Sequence, residues 1–140
     1  MNDPMKVFGQ CFCGLLQFEL ILPTDMCSHC HCESCRKTHG AAFVTWTGVP
    51  RNRFNFLAGE DHLKRFKSSS AVHWGFCLNC GTSFMYEHDL HPDRIWVTVG
   101  SLTGKMDRLP DGHMSFEERV DWCQVSDGLP RYLGKSDQEI

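Results

Sequence analysis

The sequence predicts a single domain of mainly β architecture, and three observations carry that prediction. Short apolar and β-branched runs alternate with turn signals at roughly 8–12-residue spacing, the pattern of an all-β fold. The 140 residues fall within the ~100–200 typical of one domain, so residues 1–140 are read as one unit. Nine cysteines, an odd number set in C-x-C and C-x2-C spacings, suit thiolates on metal better than a disulfide framework.

Composition narrows the class. The chain is 41% hydrophobic and 22% charged, as a water-soluble domain is, and no run approaches the ~18 apolar residues of a membrane span. Met1-Asn2-Asp3-Pro4-Met5-Lys6 lacks a basic segment followed by an apolar one, so a cytoplasmic location is expected. The formal net charge is −3. A four-thiolate site adds about −2 and a three-thiolate site about −1, giving about −6 when loaded, which argues against a nucleic-acid partner.

In chain order, Phe8–Leu22 reads as a strand ended by Pro23-Thr24-Asp25. Residues i and i+2 share a face of an extended chain, so Cys11 and Cys13 point the same way. A strand end carrying Cys30 and Cys32 then turns into a short helical turn near Ser34–Thr38. Ala41–Val49 is rich in β-branched and aromatic residues and stops at Pro50, as strands do. Phe54–Leu57, Leu63–Lys67, Val72–Phe76, Ser83–Tyr86 and Arg94–Val99 are further strands. From Gly104 to Gly112 the signals are turn-like, and His113–Tyr132 has no firm period.

The cysteines divide by spacing. Cys77-Leu78-Asn79-Cys80-Gly81 has the form of a zinc knuckle, which is half of a four-ligand structural site. Cys11-Phe12-Cys13-Gly14 is the other pair followed by glycine, and together they supply four thiolates. Cys30, Cys32 and Cys35 remain. Three protein ligands with one open position mark a zinc that does chemistry. Cys27 is close enough in sequence to close this second site instead, whereas alternation turns His29 and His31 away from it. Cys123 stands alone and receives no role. His62, His88 and His91 lie among polar residues and are expected to be solvated. His39, four residues after Cys35, is a candidate proton shuttle, and Arg36 beside Lys37 is a candidate for a substrate carboxylate.

The order of these pieces resembles the glutathione-dependent formaldehyde-activating enzyme family, which includes centromere protein V. The matching segments are Gly9-Gln10-Cys11-Phe12-Cys13-Gly14, His29-Cys30-His31-Cys32-Glu33-Ser34-Cys35-Arg36, Gly40-Ala41-Ala42-Phe43, Gly75-Phe76-Cys77-Leu78-Asn79-Cys80-Gly81-Thr82, Val97-Thr98-Val99-Gly100-Ser101-Leu102 and Asp127-Gly128-Leu129-Pro130-Arg131-Tyr132. The resemblance implies a β-tent fold of short antiparallel sheets pinned by two zinc ions. It implies a structural ion on Cys11, Cys13, Cys77 and Cys80 and a catalytic one on Cys30, Cys32 and Cys35. It also implies glutathione and formaldehyde as thiol and aldehyde, joined or released by carbon–sulfur chemistry. Cys27 and the acidic segment Met114–Trp122 depart from the family pattern.

Two functions follow as expectations. In the first, an enzyme, the triplet zinc takes a small thiol into its open position and keeps it as thiolate. The thiolate attacks a small aldehyde, and an acid such as His39 or water protonates the alkoxide. In the second, a zinc-stabilised module binds a thiol or a protein without turnover. The two differ in whether Cys27 reaches the second metal.

Overall fold

A computed structural model describes residues 5–140; most of the N-terminal stretch read for a leader, Met1–Pro4, lies outside them. The expected Phe8–Leu22 strand is a hairpin, β1 (Lys6–Gln10) and β2 (Gln17–Ile21). The chain turns back because Gly14 adopts φ +79°, a left-handed conformation that favours glycine. The Cys11 amide donates to the Leu16 carbonyl at 3.1 Å. Cys11 and Cys13 therefore sit on a tight turn, and their nearness comes from its curl and not from strand alternation.

The next elements are β3 (Met26–Cys30), α1 (Glu33–His39), β4 (Val44–Pro50) and β5 (Phe54–Ala58). After them come β6 (Leu63–Lys67), β7 (Val72–Cys77), β8 (Ser83–His88) and β9 (Arg94–Thr98). Two short strands complete the set, β10 (Leu102–Thr103) and β11 (His113–Met114). β4 begins three residues later than expected because Gly40 closes α1 in a left-handed cap, its amide on the Arg36 carbonyl. Sequence patterning does not reveal β10 or β11, since two-residue strands have no period to read.

The strands form a four-stranded sheet, β10-β1-β2-β5, and a seven-stranded sheet, β11-β3-β4-β9-β8-β7-β6. All pairings are antiparallel except β11 on β3. The sheets share a core. Val7, Phe18, Leu20 and Phe54 from the small sheet pack with Val49, Phe84, Met85, Ile95 and Val97 from the large one. Phe18 stacks between Phe54 at 5.4 Å and Phe84 at 5.2 Å. Gly9 makes room for it, because a Cβ there would meet the Phe18 ring at 2.3 Å. Fully burying such side chains is worth roughly 1.5–3 kcal/mol each.

The opposite face of the large sheet carries a second cluster, with Cys30, Cys35, Val44, Trp46 and Trp74 buried. Strand register explains it. Met26 pairs with Gly48, Gly48 with Trp96, Trp96 with Tyr86, and Tyr86 with Trp74. These positions form one row across five strands and share one face. The neighbouring row, through Thr47, Val97, Met85 and Gly75, faces the shared core. No helix of the described residues is long and apolar enough to cross a membrane.

Candidate metal centres and active site

The outer four cysteines come together. The β1–β2 turn supplies Cys11 and Cys13, the end of β7 supplies Cys77, and the β7–β8 turn supplies Cys80. Their sulfurs lie within 4.8 Å of one another, with Cys11–Cys13 at 3.5 Å and Cys13–Cys77 at 3.9 Å. Tetrahedral zinc with bonds of about 2.3 Å sets sulfurs about 3.8 Å apart, so this cage fits the ion. Gly81 at φ +78° closes the knuckle, its amide on the Cys77 carbonyl at 2.8 Å. The Leu16 amide points at Cys11 Sγ at 3.3 Å, and the Phe12 amide reaches Thr82 Oγ1 at 3.0 Å. Burial pushes Cys11 up to about 11, whereas hydrogen bonds from Thr82 and the Cys13 backbone bring Cys80 down to about 5. The cluster ties the hairpin of the small sheet to the large sheet.

The central triplet also comes together. Cys30 ends β3, Cys32 caps α1, and Cys35 lies in the first turn of α1. Their sulfurs are mutually within 4.8 Å. The Cys35 amide donates to Cys32 Sγ at 3.3 Å. Hydrogen bonds from the Cys30 and Cys35 side chains hold the Cys32 thiol down to about 2. Cys35 moves the other way, held protonated by hydrogen bonding to Cys30 and Cys32 and by burial. A cation at this centre would permit all three to be thiolates.

Cys27 does not join them. Met26, Ser28 and Cys30 line one cavity, so on β3 Cys27 faces the other side with His29. Burial and then Asp111 push its thiol up to about 11. The same alternation turns His31 inward, where it is 1% exposed. His31 Nε2 meets His113 Nδ1 at 2.8 Å, and His113 Nε2 donates to Asp127 at 2.8 Å. His29 holds Thr45 Oγ1 at 2.7 Å. His29, His113 and Asp127 also form a potential ligand group, but the hydrogen bonds of His113 run through the network behind the triplet.

The triplet opens into a cavity of about 470 Å³. Trp46, Trp74, Tyr86 and Trp96 wall it, with ring centres 5.1 Å apart for Trp74–Tyr86 and 5.4 Å for Tyr86–Trp96. Gly48 leaves space for Trp96, since a Cβ would approach its Cδ1 to 2.7 Å. Lys135 brings an ammonium over the Tyr86 ring at 4.8 Å. These wall residues carry no motif, and only register across four strands assembles them. His88 and His91, expected to be solvated, stand at the cavity lining because β8 ends there.

Two of the expected site residues lie off that lining. His39 Nδ1 bonds the Cys35 carbonyl at 3.0 Å and Thr38 Oγ1 at 2.9 Å. Its ring edge packs on Trp46 and Trp74, and Nε2 is buried without a partner. Burial lowers its affinity for a proton. Arg36 Nε donates to the His31 carbonyl at 3.2 Å, bracing the loop between Cys30 and Cys35.

Comparison with known proteins finds relatives over most of the chain. A Schizosaccharomyces pombe protein named an uncharacterized lyase is 28% identical over 113 residues, covering 81% of this chain and 80% of its own. A Halomonas elongata protein, provisionally named a glutathione-dependent formaldehyde-activating enzyme, is 21% identical over 128 residues, covering 86% and 82%. A Rhodobacter sphaeroides protein of known crystal structure shares the fold with a TM-score of 0.60 at 24% identity, covering 74% of this chain and 92% of that one. The family described as glutathione-dependent formaldehyde-activating enzyme matches residues 6–118, a span that includes both cysteine clusters, and the chain belongs to that family.

Proposed function

We propose that the protein is a carbon–sulfur lyase-type enzyme that joins a small thiol to a small aldehyde, and reverses that step, beside Cys30, Cys32 and Cys35. The observation that carries this reading is a three-thiol cluster, joined by no fourth cysteine or histidine among the described residues, opening onto a walled cavity. The family's name gives glutathione as the thiol and formaldehyde as the carbonyl partner, and one relative is named a lyase. Two zinc ions belong to this reading, a structural one on Cys11, Cys13, Cys77 and Cys80 and a catalytic one on Cys30, Cys32 and Cys35. Thiolate-rich centres persist in a reducing compartment, and we assign the protein to the cytosol.

A zinc ion on the triplet supplies the positive charge that keeps a substrate sulfur as thiolate near neutral pH. The chain does the rest. Cys30, Cys32 and Cys35 donate enough negative charge to favour a sulfur nucleophile over activated water. α1 and its Cys32 cap hold the three sulfurs in place, and Trp46 and Trp74 exclude bulk water from the reacting carbon. In the addition, a sulfur lone pair forms the C–S bond while the carbonyl π pair moves to oxygen. The thiol's proton passes to water within the cavity and that oxygen takes one back from it, so thiol plus aldehyde gives the hydroxyalkyl thioether. Lysis runs the same steps backwards.

The test is glutathione-dependent formaldehyde turnover by Cys32→Ser protein, with metal content measured alongside. Turnover is expected to vanish while the outer cysteines keep their zinc equivalent. Undiminished turnover in that variant would refute the assignment.

A further inference from the structure

The cavity beside the triplet has a chemical character that the family name does not specify. Its sheet wall is a continuous aromatic row, Trp96, Tyr86 and Trp74, with Trp46 packed 6.0 Å from Tyr86 and 6.1 Å from Trp74. Met26 and Met114 extend this apolar surface. Against it stands one formally charged side chain. Lys135 is the only Lys, Arg, Asp or Glu that lines the cavity among the described residues. Its Nζ lies 3.4 Å from Tyr86 Oη and over the Tyr86 ring. Lys135 also lies beyond the segment that matches the family, residues 6–118, so the family match assigns it nothing.

This lining fits poorly with a tripeptide thiol. Glutathione carries two carboxylates and an ammonium group. One ammonium in the wall answers one carboxylate, and no acidic side chain faces the cavity to receive the ligand's own ammonium. The remaining charges would exchange water for indole rings and for the hydroxyls and imidazoles of Ser28, Ser34, Ser68, Ser69, His88 and His91, with no opposite charge to meet them, which is costly. A flat apolar body gains instead, because aromatic rings pack edge-to-face and offset against such walls. A single carboxylate on that body would meet Lys135 in a charge-assisted hydrogen bond.

We propose that the cavity selects a compact thiol substrate with an aryl body and one carboxylate, its sulfur at the triplet, its ring among Trp74, Tyr86 and Trp96, and its carboxylate on Lys135. This rests on the carbon–sulfur chemistry assigned to Cys30, Cys32 and Cys35 and narrows the thiol that enters it. Lys135 is then a specificity residue contributed by the C-terminal tail.

The experiment is a binding titration of the zinc-loaded full-length protein by calorimetry, with 4-(mercaptomethyl)benzoate, phenylmethanethiol and glutathione as probes. The carboxylated aryl thiol is expected to bind about fivefold more tightly than either of the others, since Lys135 is exposed and an ion pair with it is worth up to about that factor. Lys135→Met should shrink the gap between the two aryl thiols to under about threefold, and Lys135→Arg should keep most of it. Glutathione binding as tightly as 4-(mercaptomethyl)benzoate, or an unchanged gap in Lys135→Met, overturns the proposal. Turnover with formaldehyde, measured on the same samples, separates the two claims. The predicted binding order without turnover of any thiol removes the enzymatic reading alone, and turnover with glutathione preferred removes the aryl selectivity alone.

Discussion

The outer cysteine cluster makes a quantitative prediction, because it closes a long loop of chain. Cys13 and Cys77 are 64 residues apart, and a metal joining them restricts the unfolded ensemble much as a covalent cross-link does. The loop-entropy relation gives about 4.3 kcal/mol at 25 °C for that length. Cys77→Ser removes one ligand and leaves Cys11, Cys13 and Cys80 unable to hold the ion tightly. Whole-domain stability is about 5–15 kcal/mol, so more than a quarter of it should disappear. With an unfolding entropy near 2.1 cal/mol/K per residue, the melting temperature should fall by about 15 °C. Urea unfolding followed by tryptophan fluorescence, with zinc measured on the same samples, gives the answer. Bound metal should drop from two equivalents to one, and a strong chelator should destabilise wild type but add little to the variant. A variant that keeps both equivalents, or loses less than about 1 kcal/mol, would show that the cluster does not cross-link the sheets.

Two further predictions address the cavity face and the network behind it. Gly48→Ala would push Trp96 from its place over β4, because the added Cβ meets Cδ1 at 2.7 Å and Nε1 at 2.9 Å. A cost of about 1–3 kcal/mol and a shifted tryptophan emission are expected, and an unaltered spectrum would contradict the packing. His31 is held neutral by burial and by His113, its proton affinity lowered from 6.5 to about 4. A depressed histidine means that the unfolded chain gains protons first as pH falls through 6.5, so stability drops by about 2 kcal/mol between pH 7 and pH 5. Urea midpoints across that range should show the slope in wild type and a flatter one in His31→Asn; equal slopes would exclude His31 as its source.

Much of the fold was legible because strand signals are local. Leu63–Lys67 is read from sequence with the ends that β6 has, and β7, β8 and β9 differ by one or two residues at one end. Each is a β-branched or aromatic run bounded by turn residues. Phe8–Leu22 misled because its apolar pattern continues through a turn. The signal for that turn, Cys13-Gly14, doubles as a metal motif. The cysteine partition was legible for the same local reason, since ligands two or three residues apart must converge. The cavity walls were not. Trp46, Trp74, Tyr86 and Trp96 stand on four strands, and only hydrogen-bond register, a long-range property, puts them in adjacent rows. Lys135 was invisible for a stronger reason, being a lone cation in a tail without period.

The parity of β3 sorts the centre's two sides, and it explains why Cys27 does not join the triplet. Met26, Ser28 and Cys30 face the cavity, so Cys27, three residues before Cys30, must face away while β3 stays extended. Pairing across its whole length, from Met26 with Gly48 to Cys30 with Val44, keeps it extended. A register slip that brought Cys27 to the cavity would carry Cys30 to the wrong face, so one strand cannot supply both. The histidines obey the same rule. His29 and His31 point to the far side, where Thr45 and the His113–Asp127 pair receive them. β11 lies parallel to β3 with His113 opposite His29, so the C-terminal part of the chain secures this side and fixes which way the strand faces. Cys27, His29 and His31 are thus engaged in holding β3, and Cys30, Cys32 and Cys35 face the aromatic cavity without them.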